Sequence, residues 1–505
     1  MSSSFSSSVN FILEPSSPLV ASSGPVTWFF RIRLPAARTD LILNGASAHN
    51  GVMNGTSSST SFGANTSAVL HGAKDLRIEE RTYAAPTGDE VQIRVRATGL
   101  CGSDLHYYLH GRNGDFALQH SMCLGHESAG EIVALGPNVP TSLSLAVGDR
   151  VAIEAGRFCG SCPKCRDGRY NLCKQMRFAS SAKTHPHLDG TLQKYMNWPS
   201  WLVHKLPANV SLTSAALCEP LSVVLQGIRR SALQPGQSVL VYGAGAVGLL
   251  ACAAAKASGA SYVAAVDIDQ GRLAFAAANG WADATNLLPR SAPAAGGEEE
   301  KDARARRVAE DKAAISSANA SATSLLQALS ASSASTETGY AVQPAPLDLA
   351  SEGFDVVFEC TGVPACVQTG IFATKAGGKV VLIGMGNPIQ TLPIGSASLR
   401  EVDIVGVFRY ANTYPIALGL LAGGTLRAQG GGLHAQAVGS TTNTNGTSET
   451  KEGLGAGRKM GGIENLVSHA YPLKDAVKAF ETLANGKDAE HGRGVVKVFI
   501  TDNEA

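Results

Sequence analysis

The 505-residue sequence predicts an α/β protein: a β-rich unit followed by a doubly wound parallel sheet. Two observations carry this prediction. From about Ser67 to residue 222, runs such as VQIRVRATG and EIVALG are separated by glycine turns, the texture of short strands. From residue 223 to 409, SVLVYGAGAVGLLACAAAKASGA runs as strand, glycine turn and Ala-rich helix, and YVAAVDID supplies the next strand. That βαβ alternation implies a parallel sheet with helices on its faces. It resumes at FDVVFECTG and KVVLIGMG, while YPLKDAVKAFETLANG reads as a capped helix feeding the strand GVVKVFI.

Three stretches fall outside this pattern. Residues 1–66 are Ser/Asn/Gly-rich, hold only the acids Glu14 and Asp40, and carry Arg31, Arg33 and Arg38 near the apolar Trp28–Phe30. They are expected to form a disordered tail, with a mitochondrial targeting segment as the alternative and the cytoplasm as the expected compartment. Residues 290–347, with a charged run from Glu298 to Arg307, and residues 428–462 show no sustained apolar period, so both are expected to be surface insertions. Within the first, 301–329 could form a transient helix.

Composition removes several classes. With 42 Lys+Arg against 41 Asp+Glu, the net charge of +1 argues against a protein that coats nucleic acid, which needs a basic excess. No apolar run reaches the roughly 18 residues of a spanning helix. Ten cysteines in this length are too dilute for a secreted disulfide scaffold.

Four of those cysteines, Cys159, Cys162, Cys165 and Cys173, are spaced so that one loop can close a thiolate tetrahedron around Zn²⁺. A closed site of this kind holds a lobe together. Cys101, His126, Glu127 and Glu219 form a dispersed S/N/O set suited to a catalytic zinc with an open position. Singly each is weak, since a His beside a Glu is commonly an ordinary turn pair. The third signal is Gly243-x-Gly245-x-x-Gly248, directly after a strand and opening a helix, with Asp267 ending the next strand. Such glycines admit a pyrophosphate at the helix N-terminus, and Asp267 can accept from a ribose hydroxyl. The carboxylate would repel a 2′-phosphate, so NAD is favoured over NADP, with Arg272 weighing the other way.

These segments together resemble the zinc-dependent medium-chain dehydrogenases, and within them the polyol branch that includes sorbitol, xylitol and L-arabinitol dehydrogenases. The resemblance covers roughly 68–289 and 351–500 and rests on CGSDLHYYLHGRNGDF, LGHESAGEIVALG, GRYNLC, EPLSV, ECTG and REVDIVGVFRYANTYP. It implies a GroES-like catalytic unit at 67–222 completed by 410–505, and a Rossmann NAD unit at 223–409. It further implies one catalytic zinc at Cys101, His126 and Glu127, with Glu219 binding it or holding its water, and one structural zinc. Asp104 would orient the histidine, and Ser103 and His106 would relay a proton. Tyr107, Arg409 and Tyr410 would contact the polyol or the nicotinamide end; Ala246, Val247, Asp267, Arg272, Ile383 and Phe408 would contact NAD.

The implied reaction is oxidation of a secondary alcohol to a ketose by hydride transfer to NAD⁺, with zinc stabilising the alkoxide. A homotetramer or homodimer is implied as well. The sequence departs from the branch at Ala411 and Tyr414, where relatives commonly carry Cys and Trp. The four retained lobe cysteines resemble the fungal arabinitol and xylitol type. A dehydrogenase for threonine or a simple alcohol, and a non-catalytic dinucleotide-binding homologue, stay open as alternatives.

Overall fold

Strands Ser238–Tyr242 and Tyr262–Asp267 are buried at every position, which is why their sequences are apolar throughout rather than alternating. The structure, a computed structural model, describes residues 61–289, 303–331, 339–341, 345–346, 348–426, 462–487 and 494–502. The two strands belong to a seven-stranded sheet in the order Gly339–Ala341, Ala284–Leu287, Tyr262–Asp267, Ser238–Tyr242, Phe354–Glu359, Thr374–Leu382, Asp403–Gly406. All neighbours run parallel except the first pair. The chain builds outward from Ser238–Tyr242 and then returns to add strands on its other side. Strand order therefore reverses between Ser238–Tyr242 and Phe354–Glu359, and at the carboxyl ends of such a pair α/β sheets bind ligands.

The expectation of a surface insertion at 290–347 is corrected in part. A 29-residue helix, Ala303–Ala331, lies there, and its second half is packed rather than transient. Ala318, Ala322, Leu325, Leu326 and Leu329 are buried, and the last four join the core beside Phe354, Val357 and Val367. Their spacing makes one helical stripe. The physical reason is topological: Ala284–Leu287 and Phe354–Glu359 belong to one parallel sheet, and a crossover between such strands needs a helix on the sheet face. The rest of that stretch and residues 428–461 lie outside the described residues.

The first unit is a second seven-stranded sheet, ordered Val203–Lys205, Arg150–Ile153, Glu127–Leu135, Glu90–Gly99, Lys497–Thr501, Val467–Pro472, with Tyr195–Pro199 also paired to Glu90–Gly99. Residues from the far end of the sequence thus sit in the middle of it. A continuous buried cluster runs from Val91 and Ile153 through Leu221 and Val224 to Val241 and Phe358, so helix Cys218–Ser231 joins the two sheets.

The tail is also shorter than expected, because strand Ser61–Gly72 starts before Ser67. Asn65 explains the misreading: its side-chain amide accepts from Tyr195 N–H at 2.9 Å and donates to the Tyr195 carbonyl at 2.9 Å, copying a backbone ladder. A polar residue is therefore a strand residue here. The remaining tail, 1–60, lies outside the described residues.

Candidate active site

Cys101 precedes helix Gly102–His110 and Glu127 opens strand Glu127–Leu135, with His126 just ahead of it. One ligand atom from each of the three lies within 4.8 Å of the others. Asp104, fully buried on the helix, stands 3.2 Å from His126 Nδ1. It also accepts from Ser180 Oγ at 2.6 Å and from Cys101 N–H at 3.4 Å. Burial would raise the Asp104 carboxyl, but His126 and these donors outweigh burial and hold it low. An ionised carboxylate behind an imidazole is the usual partner of a metal-bound histidine.

Glu219 is buried in the first turn of helix Cys218–Ser231 and lies outside the 4.8 Å group. Burial pushes it up to about 7, with Glu127 adding to the rise and His126 and Lys497 opposing it. The donor set fits zinc on its chemistry: a thiolate, an imidazole and a carboxylate close together, with a second carboxylate farther out.

Lys497 was not foreseen. Its ammonium is buried against Glu127, 2.7 Å from Oε1. The signal was a single Lys inside the apolar strand GVVKVFI.

Arg409 has a left-handed backbone, φ 51°, and its guanidinium lies 3.8 Å above the Phe178 ring. Arg409 Nη1 is buried without a hydrogen-bond partner among the described residues. The buried Tyr410 hydroxyl lies close enough to Glu219 to pull that carboxyl down. Buried polar groups without partners are rare and point to a ligand. Tyr107 is 1% exposed and its hydroxyl accepts from Ala182 N–H at 2.9 Å, which leaves its O–H free to donate. Ser103 is half-buried and His106 exposed on the same helix.

In the four-cysteine lobe the sulfurs of Cys159 and Cys165, Cys162 and Cys165, and Cys159 and Cys173 are 3.8, 3.5 and 3.6 Å apart. A tetrahedron with Zn–S of about 2.3 Å has S···S edges of about 3.8 Å, so the lobe fits a structural zinc. Backbone N–H groups of Ser161 and Cys162 hold the Cys159 thiol down at about 6, the thiolate a metal requires.

At the strand-order reversal, Gly243 has φ 90°, and a Cβ on Gly248 would run into the Gly243 carbonyl. Only glycine serves at these two positions. A Cβ on Gly245 would meet nothing, so the space beside it is open for a ligand. Helix Ala246–Ala257 starts there without a side-chain cap, leaving its first N–H groups to an anion. Asp267 accepts from Ala244 N–H at 2.5 Å and from Asp269 N–H at 2.8 Å, which stiffens the turn while each oxygen keeps a lone pair. The cradle fits a dinucleotide.

The other expected cofactor residues are spread around it. Ala246 and Val247 form the first helical turn, and Ile383 follows strand Thr374–Leu382. Phe408 is 42% exposed. The Arg272 guanidinium donates to the Val495 carbonyl at 3.4 Å.

Residues 87–208 match the alcohol dehydrogenase GroES-like domain and residues 246–423 the zinc-binding dehydrogenase domain. Fold and donor sets together define a zinc-dependent medium-chain dehydrogenase. Sorbitol dehydrogenase of Rattus norvegicus is 35% identical over 424 residues, 84% of this chain and 94% of that protein. L-arabinitol 4-dehydrogenase of Hypocrea jecorina is 36% identical, over 81% of this chain and 85% of that one. An oxidoreductase/dehydrogenase of unknown specificity from Escherichia coli has a TM-score of 0.64 at 26% identity, covering 87% of this chain and 100% of that one. The chain belongs to the zinc-dependent medium-chain dehydrogenase family, in its polyol branch.

Proposed function

We propose that the protein oxidises a secondary alcohol of a five- or six-carbon polyol to the ketose, with NAD⁺ as hydride acceptor. The observation that carries this reading is a pair of buried polar groups near Glu219: Arg409 Nη1, without a partner among the described residues, and the Tyr410 hydroxyl. A substrate with several hydroxyls would satisfy both. A simple alcohol would leave Arg409 Nη1 buried and unpaired, which is costly.

Cys101, His126 and Glu127 would hold the catalytic zinc, which when bound supplies Lewis-acid polarisation of a substrate oxygen. Glu219 is the outer carboxylate, which would bind the metal or hold its water. Ser103 and His106 lead from the half-buried end of their helix to water and would carry the proton out. Arg409 and Tyr410 orient the polyol. The glycine turn and Asp267 place NAD, which carries the redox chemistry. Zinc in the four-cysteine lobe braces the first unit.

A homodimer or homotetramer is part of this reading. It is supported by Asp403–Gly406 being an edge strand among the described residues, with the exposed Ile394 lining the groove beside it. Among the described residues no helix is long and apolar enough to cross a membrane. The cytoplasm is the proposed compartment, with mitochondrial targeting by 1–66 as the alternative.

The test is NAD⁺ reduction across sorbitol, xylitol, L-arabinitol, threonine and ethanol, with NADP⁺ in parallel. NADH from at least one polyol, faster than from ethanol or threonine, is expected. Turnover of ethanol or threonine alone, or of nothing by zinc-replete protein, would overturn the reading.

A further inference from the structure

The four-cysteine lobe is joined to the substrate loop by a chain of hydrogen-bonded polar groups. Its short turn Tyr170–Leu172 is closed by Cys173 N–H on the Tyr170 carbonyl at 2.9 Å, so Tyr170 and Asn171 are carried by a cysteine of the lobe. The Tyr170 hydroxyl accepts the Asn412 backbone N–H at 2.7 Å, 242 residues away, and donates to Glu154 Oε1 at 2.6 Å. Glu154 Oε2 is in turn bonded to His204 Nε2 at 2.8 Å. Asn171 donates to the Phe408 carbonyl at 2.8 Å, and the Asn412 side chain donates back to the Gly168 carbonyl at 2.8 Å.

These bonds fall on both sides of Arg409. The loop between them is strained, with left-handed φ at Arg409 (51°) and Asn412 (56°). Asn tolerates that region, whereas for Arg it persists only when the surroundings over-determine it. Burial, with Glu154 close by, pushes the Tyr170 phenol far up, so it stays a neutral donor and acceptor. A lobe that served only to enclose its metal would have no need of a tyrosine–carboxylate–imidazole chain ending on this loop.

We propose that Tyr170 and Asn171 are positioning residues for substrate recognition: they clamp Phe408 and Asn412 so that the intervening Arg409 and Tyr410 face the polyol. This rests on the reading of Arg409 as a substrate contact, and the experiment separates the two. Tyr170→Phe, Asn171→Ala and Arg409→Ala are compared with wild type for polyol KM, NAD⁺ KM, kcat, zinc content and Tm. Each lost hydrogen bond is worth roughly three- to tenfold.

Tyr170→Phe and Asn171→Ala are expected to raise polyol KM by that factor while NAD⁺ KM and zinc content stay at wild-type values. If Tyr170→Phe fails to fold, Asn171→Ala carries the test. Unchanged polyol KM in folded variants, or parallel shifts of both KM values with a fall in Tm, would overturn the positioning role. Unchanged polyol KM in Arg409→Ala would instead overturn the substrate contact on which it rests.

Discussion

Lys497 Nζ lies 2.5 Å from Glu127 Oε2, and the two side chains are 5% and 1% exposed. The pair places a fixed cation behind a candidate metal ligand. In the metal-free protein it is the counter-charge that keeps a buried carboxylate tolerable.

Lys497→Met should therefore destabilise metal-stripped protein by roughly 3–5 kcal/mol, since breaking a buried pair from one side leaves an uncompensated charge. Zinc on the same carboxylate should shrink that loss. Denaturant unfolding with and without chelator measures it; equal losses in both states would separate Glu127 from the metal.

Cys101→Ser should lower zinc content by about one atom per chain and kcat/KM by at least roughly a hundredfold. Metal analysis distinguishes this from damage to the four-cysteine lobe, where Cys173→Ser should lower zinc by a similar amount and destabilise the lobe. Full zinc occupancy in Cys101→Ser would remove that residue from the site.

Glu219 gives the metal-stripped protein a pH signature. Its carboxyl rises on folding from 4.5 to about 7, so the folded state binds the proton more tightly than the unfolded state. The stability this gives is full below pH 4.5 and is lost as pH rises through about 7. Glu219→Gln, uncharged throughout, should flatten that decline. Identical pH–stability curves for the two proteins would contradict the assignment.

Asp267→Ala should raise the KM for NAD⁺ and cut the preference over NADP⁺ by at least roughly tenfold, because the like charge opposing a 2′-phosphate is gone. Some of the NAD⁺ loss will come from the turn itself, since Asp267 also holds Ala244 N–H. The ratio of kcat/KM values for the two cofactors isolates the charge effect.

Leu329→Ala should cost roughly 2–5 kcal/mol, as for any buried leucine, although it lies in a stretch whose composition suggests a surface insertion. Unfolding unchanged within about 0.5 kcal/mol would return the helix to the surface.

What was legible in the sequence was local. The cysteine spacing and the Gly243–Gly248 turn each act within one loop, so short segments carry their whole logic. The crossover helix was misread because Ala and Ser mask the stripe that Leu325, Leu326 and Leu329 complete only when a sheet face is present. Asn65 was misread because its amide imitates backbone. Lys497 opposite Glu127 and Tyr170 under Asn412 are pairings across hundreds of residues, set by tertiary packing and carrying no periodic trace. Tyr107 was recognised as near the site, but its bond to Ala182 depends on a loop that sequence cannot place.

Strand Lys497–Thr501, hydrogen-bonded along Glu90–Gly99, also sets an order of events during synthesis. A growing chain has made Cys101, His126 and Glu127 long before the cation 370 residues after Glu127 leaves the ribosome. Until then the nascent first sheet lacks a central strand and carries a carboxylate with no countercharge. The sheet that presents Glu127 is completed only after the dinucleotide unit has been translated, so this buried ion pair forms when nearly the whole chain has been made.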